Sequence, residues 1–161
     1  MRVFFESLLP CSADQAWVAV QTSALLVEVA APFVAIRPLV GETFPTKWPA
    51  GQTVRCRSYL FGFIPVGTRT LHFERIDQSA REIQSRESDS LISRWDHLIR
   101  IRPTTDGPCR YSDEVEIEAG WRTPLVWLFA LAFYRHRQRR WRRVARRLAS
   151  EERNRTDRGA R

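Results

Sequence analysis

Glu87, His97 and Asp113 have the side-chain types for proton chemistry and the spacing to share one face of a sheet. In strands that alternate, Ile83, Ser85 and Glu87 fall on one side of a first segment. Trp95, His97, Ile99 and Ile101 form the matching side of the next segment, and Tyr111, Asp113, Val115 and Ile117 that of a third. These are the apolar faces, so they point at the core. A hairpin turning near Ile92 sets Glu87 opposite His97, and one turning near Thr105 sets His97 opposite Asp113. A shift of one residue breaks either pairing. A histidine between two carboxylates favours its charged form while burial opposes it. Such a group can move a proton in an enolisation or an aldol cyclisation, which makes His97, Asp113 and Glu87 the candidate catalytic residues. The other reading is a satisfied buried network that anchors the sheet or the polar end of a ligand. The balance falls on anchoring, because the chain has no nucleophile elbow, phosphate loop or metal-ligand constellation. No metal and no cofactor is expected, and the expectation leans away from an enzyme.

Other reactive types are sparse. His72 falls on the outer face of its strand if Leu71 and Phe73 point inward, and His136 sits among arginines as a solvated side chain. Cys11, Cys56 and Cys109 are odd in number and form no C-x-x-C pair, which speaks against a zinc or redox motif. Three reduced thiols fit a cytoplasmic protein.

The elements that must position this cluster follow from periodicity. Arg2 to Leu9 reads as a first strand ended by Pro10, and Ser12 with Gln15 forms a capping box for a helix to about Gln21 that buries Ala16, Trp17 and Val20. A second short helix spans Ser23 to Ala30. Strands follow at Phe33 to Val40, Gln52 to Phe61, Thr68 to Ile76, Arg81 to Ser88, Ser93 to Arg102 and Cys109 to Ala119. Asp106-Gly107-Pro108 marks the last hairpin turn. Gly62 to Gly67 is an apolar bend, in which Phe61, Phe63 and Ile64 either cover a cavity mouth or pack on a helix end. Thr123 to Ala149 then reads as one long helix, with Thr123 as its N-cap and Pro124 at its first helical position. Trp127, Leu131, Tyr134, Trp141, Ala145 and Leu148 line one face of it, and Trp17 and Trp127 read as core. Its apolar run is roughly half the ~20 residues that cross a bilayer, so no transmembrane segment is expected. The N-terminus shows no basic region followed by an apolar run and a cleavage site, so no signal peptide is expected either.

A chain of 161 residues that is 43% hydrophobic suits one domain, residues 1–149, with 150–161 as a polar, disordered tail. The net charge of +8 is unevenly placed: from Arg122 onward, thirteen arginines against Glu151, Glu152 and Asp157 give +10, which leaves −2 for residues 1–121. The stretch from Arg135 to Arg147 is therefore either a solvated face or a weak contact for anionic lipid or nucleic acid. No nucleic-acid motif accompanies it, and charge alone gives sequence-independent binding.

The first strand followed by P-C-S-A-D-Q-A-W resembles the opening of the START-like, or SRPBCC, superfamily of helix-grip proteins. Leu60 to Pro65, Trp95-Asp96-His97, Tyr111 to Ile117 and Phe133 to Gln138 resemble stretches of uncharacterised bacterial members, and the likeness runs from Met1 to Leu148. The resemblance implies an α+β helix-grip fold, a curved antiparallel sheet wrapped around the long C-terminal helix with two short helices after the first strand. It also implies a cavity between sheet and helix for a hydrophobic small molecule or lipid. Superfamily members include lipid carriers, hormone receptors, aromatic polyketide cyclases and binding proteins, so fold alone leaves function open. On this reading Trp95, His97, Tyr111, Asp113 and Glu87 from the strands, Phe61, Phe63 and Ile64 from the bend, and Trp127 and Phe133 from the helix meet the ligand. The leading expectation is ligand binding. A polyketide cyclase- or dehydratase-like enzyme using His97 with Asp113 or Glu87 comes second, and a peripheral binder of anionic lipid or nucleic acid third.

Overall fold

The computed structural model describes residues 1–105 and 107–159; Asp106, expected in the last hairpin turn, and residues 160–161 of the tail lie outside them. The chain runs β1 (Arg2–Leu9), α1 (Ala13–Val20), α2 (Ser23–Ala30), β2 (Val34–Pro38), β3 (Thr53–Leu60), β4 (Ile64–Asp77), β5 (Glu82–Ser88), β6 (Arg94–Pro103), β7 (Cys109–Glu118), a 3-10 turn (Gly120–Arg122) and α3 (Thr123–Gly159). The described strands make one antiparallel sheet in the order β1-β7-β6-β5-β4-β3-β2, curved around α3. This is the α+β helix-grip fold, with the two short helices after the first strand.

The helix starts are set locally. Ser12 Oγ accepts from the Gln15 N–H at 3.2 Å and Gln15 Oε1 from the Ser12 N–H at 3.0 Å, which closes the capping box. Thr22 Oγ1 does the same for α2, accepting from the Leu25 N–H at 3.2 Å. Thr123 corrects the expectation: it is the first helical residue of α3 and not its cap. Its hydroxyl donates to Gly120 O at 2.7 Å and accepts from the Ala119 N–H at 2.9 Å, tying the 3-10 turn onto the helix. At its other end α3 continues through Ser150 to Gly159, past the expected stop at Ala149. Nothing between 150 and 158 breaks a helix, and Glu151 precedes Arg155 by four residues in the favourable order.

The registers differ from those the hairpin turns suggested. Glu87 faces Trp95 and Ser85 faces His97, while His97 faces Val115 and Ile99 faces Asp113. Each pairing is displaced by two residues, the slip that a turn moved by one residue produces. A slip of two keeps every side chain on its own face. The three groups stay on the inner side and meet diagonally. The expected bend is also shorter. Phe61 and Gly62 take positive φ values of 52° and 85°, and β4 resumes at Ile64.

The core has two apolar parts. One joins Leu9, Cys11, Ile101 and Tyr111 to Trp141, Val144 and Ala145 of α3, with Trp17 and Val20 of α1. The other joins Val3, Trp95, Val115 and Ile117 to Ala130, Phe133 and Tyr134. Along α3 they meet at Arg137 and Gln138, both buried. A polar layer therefore lies between two apolar ones.

Candidate functional site

That layer is built around Asp113, whose side chain is 1% exposed. His97 Nε2 lies 2.8 Å from its Oδ1, the Tyr111 hydroxyl donates to the same oxygen at 2.8 Å, and Gln138 Nε2 donates to Oδ2 at 2.7 Å. Arg137 closes the group, with Nε 3.6 Å from Asp113 Oδ1 and a hydrogen bond of 3.2 Å to the Tyr111 hydroxyl. Ser7 of β1 donates to Gln138, which fixes the way that amide points.

On the other side His97 Nδ1 lies 3.8 Å from Glu87 Oε1, and the Ser85 hydroxyl donates to that oxygen at 3.1 Å. Arg69 of β4 then bridges Glu87 and Asp89, each at 3.5 Å, with its guanidinium 5.0 Å from the centre of the Trp95 ring. The charges alternate along one line: Asp89, Arg69, Glu87, His97, Asp113, Arg137. Three carboxylates face two guanidiniums and an imidazole, so the line is neutral when His97 carries its proton.

Burial opposes the charge on His97, but Asp113 and then Glu87 outweigh it, and its pKa is raised above 6.5. Burial likewise opposes the charge on Asp113, yet Arg137 and His97 hold its carboxyl below the ordinary value; for Glu87, His97 and Arg69 do the same. Burial pushes the Tyr111 hydroxyl well up, so it stays a donor. An imidazolium pinned between two ionised carboxylates is a poor base, because the neutral form that would accept a proton is the disfavoured one.

Above this line lies a cavity of about 110 Å³, walled by the inner face of the sheet, by α2 and by α3. Its walls are mostly apolar, with Leu25, Leu71, Phe73, Ile83, Ile99 and Phe133 among them, and Glu87, His97, Arg69 and Arg137 form its polar side. The space is somewhat below the roughly 150 Å³ that holds a benzene, so a larger guest has to part the walls.

The expected site residues divide into four groups. Glu87, Trp95, His97 and Phe133 line the cavity. Tyr111 and Asp113 do not; they lie one layer behind, where they hold His97 and Arg137. Phe61, Phe63 and Ile64 are exposed at the β3–β4 turn, and their neighbours Leu60 and Val66 reach the cavity in their place. Trp127 turns away toward β1, donating from its indole N–H to Arg2 O at 2.9 Å. His136 corrects its reading as a solvated side chain, because Nε2 lies 2.7 Å from Ala31 O and the ring stacks on Phe33 at 4.7 Å. His72 is on the outer face, 3.0 Å from Thr53 Oγ1. No cluster able to hold a metal ion occurs among the described residues.

Sequence reasoning missed Arg69, Arg137, Gln138 and Ser7 as parts of the network. Signals for some of them were present. Tyr134, Arg137, Gln138 and Trp141 follow the three-and-four spacing of the buried stripe, and Gln138 is the one uncharged polar residue inside the arginine run. Arg69 shares the strand parity of Leu71 and Phe73.

Solved structures of the same architecture span nearly the whole chain. A START superfamily protein from Mycobacterium smegmatis superposes with a TM-score of 0.67 at 13% identity, covering 91% of this chain and 98% of that one. The Zhui aromatase/cyclase from Streptomyces sp. R1128 gives 0.65 at 12%, covering 91% and 94%. Ara h 8.0201 gives 0.64 at 14%, covering 93% and 98%. The fold is thus that of the START-like superfamily. The chain belongs to the family described as Domain of unknown function (DUF8410), matched over residues 7–145. No curated protein matches it significantly. No helix among the described residues is long and apolar enough to cross a membrane.

Proposed function

We propose that this protein binds a hydrophobic small molecule or lipid in the cavity between the sheet and α3, with His97 and Glu87 as the anchor for the guest's polar end. One observation carries the reading: an apolar cavity whose polar side is a charge-balanced line of groups already fixed by one another. Such a line offers hydrogen bonds without moving, which suits holding a ligand. The free, buried thiols of Cys11, Cys56 and Cys109 suit a reducing compartment and support a cytoplasmic location as part of this reading.

A second reading is a cyclase- or dehydratase-like enzyme in which His97, with Asp113 or Glu87, moves a proton. It is favoured by His97 and Glu87 lining the cavity, within reach of a guest. The raised pKa of His97 favours the acid role over the base role. The two separate in one experiment. Protein purified from a cell lysate is extracted with organic solvent, its bound molecules are identified by mass spectrometry, and each is incubated with wild type and with His97→Ala. Ligand retention that drops in the variant, with no product from wild type, supports binding. A product whose formation falls by orders of magnitude in the variant, with retention intact, moves the protein to the enzymes.

A further inference from the structure

The outer face of α3 carries a second, independent feature. Trp121, just before the helix, is 82% exposed, and Leu125 and Leu128 in its first turns are 71% and 61% exposed. The same face continues through Ala132 to Arg135, Arg139, Arg142, Arg143 and Arg146, all exposed, at steps of three and four residues. From Leu125 to Arg146 the stripe is about 32 Å long at 1.5 Å per residue.

The arginine run is not uniform. Arg137 is buried in the polar layer, Arg140 donates to Glu28 O at 3.2 Å, and Arg147 pairs with the Glu28 carboxylate at 2.9 Å. Arg135, Arg139, Arg142, Arg143 and Arg146 have no ion pair or hydrogen-bond partner among the described residues. Elsewhere several arginines of the sheet are paired: Arg86 with Glu74 and Asp96, Arg94 with Asp96, Glu116 and Glu118, Arg100 with Glu114. Between Leu125 and Arg146 the helix carries no acidic residue, so this face is left with cations alone.

From this we infer that the outer face of α3 docks on an anionic lipid membrane. A bilayer surface offers both things the stripe requires: negative headgroups for the five arginines, and an apolar boundary for Trp121, Leu125 and Leu128. Nucleic acid meets only the first. Leucines gain nothing from phosphates, whereas apolar side chains and tryptophan favour the headgroup boundary.

The test is sedimentation of the full chain with vesicles of phosphatidylcholine alone or with about one-third phosphatidylserine. Wild type sediments with the anionic vesicles at low salt, stays in solution with the neutral ones, and is released as salt rises. The variant Arg139→Gln/Arg142→Gln/Arg143→Gln/Arg146→Gln loses about 10²-fold or more in partitioning, at about fivefold per arginine. Leu125→Ser/Leu128→Ser loses about tenfold with its charge unchanged. Both variants change exposed residues, and unaltered thermal melting confirms that each is folded. Failure of wild type to sediment with anionic vesicles overturns the inference, and so does full binding by the arginine variant. Binding of a duplex oligonucleotide that is stronger than vesicle binding and indifferent to the leucine changes overturns it too, and assigns the face to nucleic acid.

Discussion

Asp113→Asn probes the polar layer at its centre. The carboxylate takes hydrogen bonds from His97, Tyr111 and Gln138 through its two oxygens and faces Arg137 at 3.6 Å. An amide of the same shape has one oxygen and one NH₂. Whichever way it turns, at least one buried donor then points at another donor, and Arg137 loses its compensating charge. Removing one partner of a buried charge pair costs about 3–5 kcal/mol, far more than the median exposed pair. With a urea slope of about 2 kcal/mol/M, the midpoint drops by roughly 1.5–2.5 M. Arg137→Met alone should cost a similar amount, for the converse reason. The double variant Asp113→Asn/Arg137→Met should cost less than the two added together, by about 1 kcal/mol or more, because the second change removes the charge that the first left bare. Urea titrations of the four proteins, followed by tryptophan fluorescence, measure all of this. A loss below about 1 kcal/mol for Asp113→Asn, or strict additivity in the double variant, would show that the carboxylate is not the hub of the layer.

Stability should also depend on pH with a defined sign. The pKa of His97 is raised on folding, so its contribution is fully present below its unfolded value of about 6.5 and is lost as pH rises through the folded value. Asp113 and Glu87 are lowered, so theirs is present above the ordinary 3.8 and 4.5 and is lost as pH falls through the folded values. Urea midpoints should therefore be highest between about pH 4.5 and 6.5, and a midpoint still climbing above pH 7 contradicts the charged imidazole. Phe133→Ala, at a side chain buried against Trp95 and Val115, should cost about 3–5 kcal/mol, while Trp127→Ala, half-buried at the edge of β1, should cost less than half as much. Equal costs in thermal or urea unfolding would mean that Trp127 is core as well. His97→Ala should weaken retention of an apolar guest more than it slows any turnover, as the extraction experiment reads directly.

The fold was legible because each element announced itself locally. Ser12 and Gln15 cap α1 as their types require, the strands alternate, and the aromatic face of the apolar half of α3 packs against the sheet. The inner faces were legible for the same reason, since parity survives the slip of two residues that moved Glu87 and His97 off their expected partners. What parity cannot give is the diagonal geometry, which depends on where each turn closes. The part least visible was the contribution of α3. Arg137 and Gln138 lie within a run of arginines whose composition points to solvent, and only their place on the buried stripe distinguishes them. The carboxylate waiting at Asp113 is what makes burying Arg137 tolerable, and that partner is 24 residues away in sequence. Thr123 was misread for a related reason: its hydroxyl serves the 3-10 turn before the helix, which has no strong signature of its own.

The central claim is that the space between sheet and helix takes an apolar guest, and fluorine NMR of fluorobenzene tests it most directly. The probe is neutral and small, so neither the charged helix face nor a vesicle is involved. Ile99→Phe, on the cavity wall and 7% exposed, fills the space from within. Wild type should give a shifted, saturable bound resonance at one site, and Ile99→Phe should abolish it while still melting cooperatively. A free resonance alone at every concentration of wild type, or the same bound resonance in the filled variant, would contradict the account.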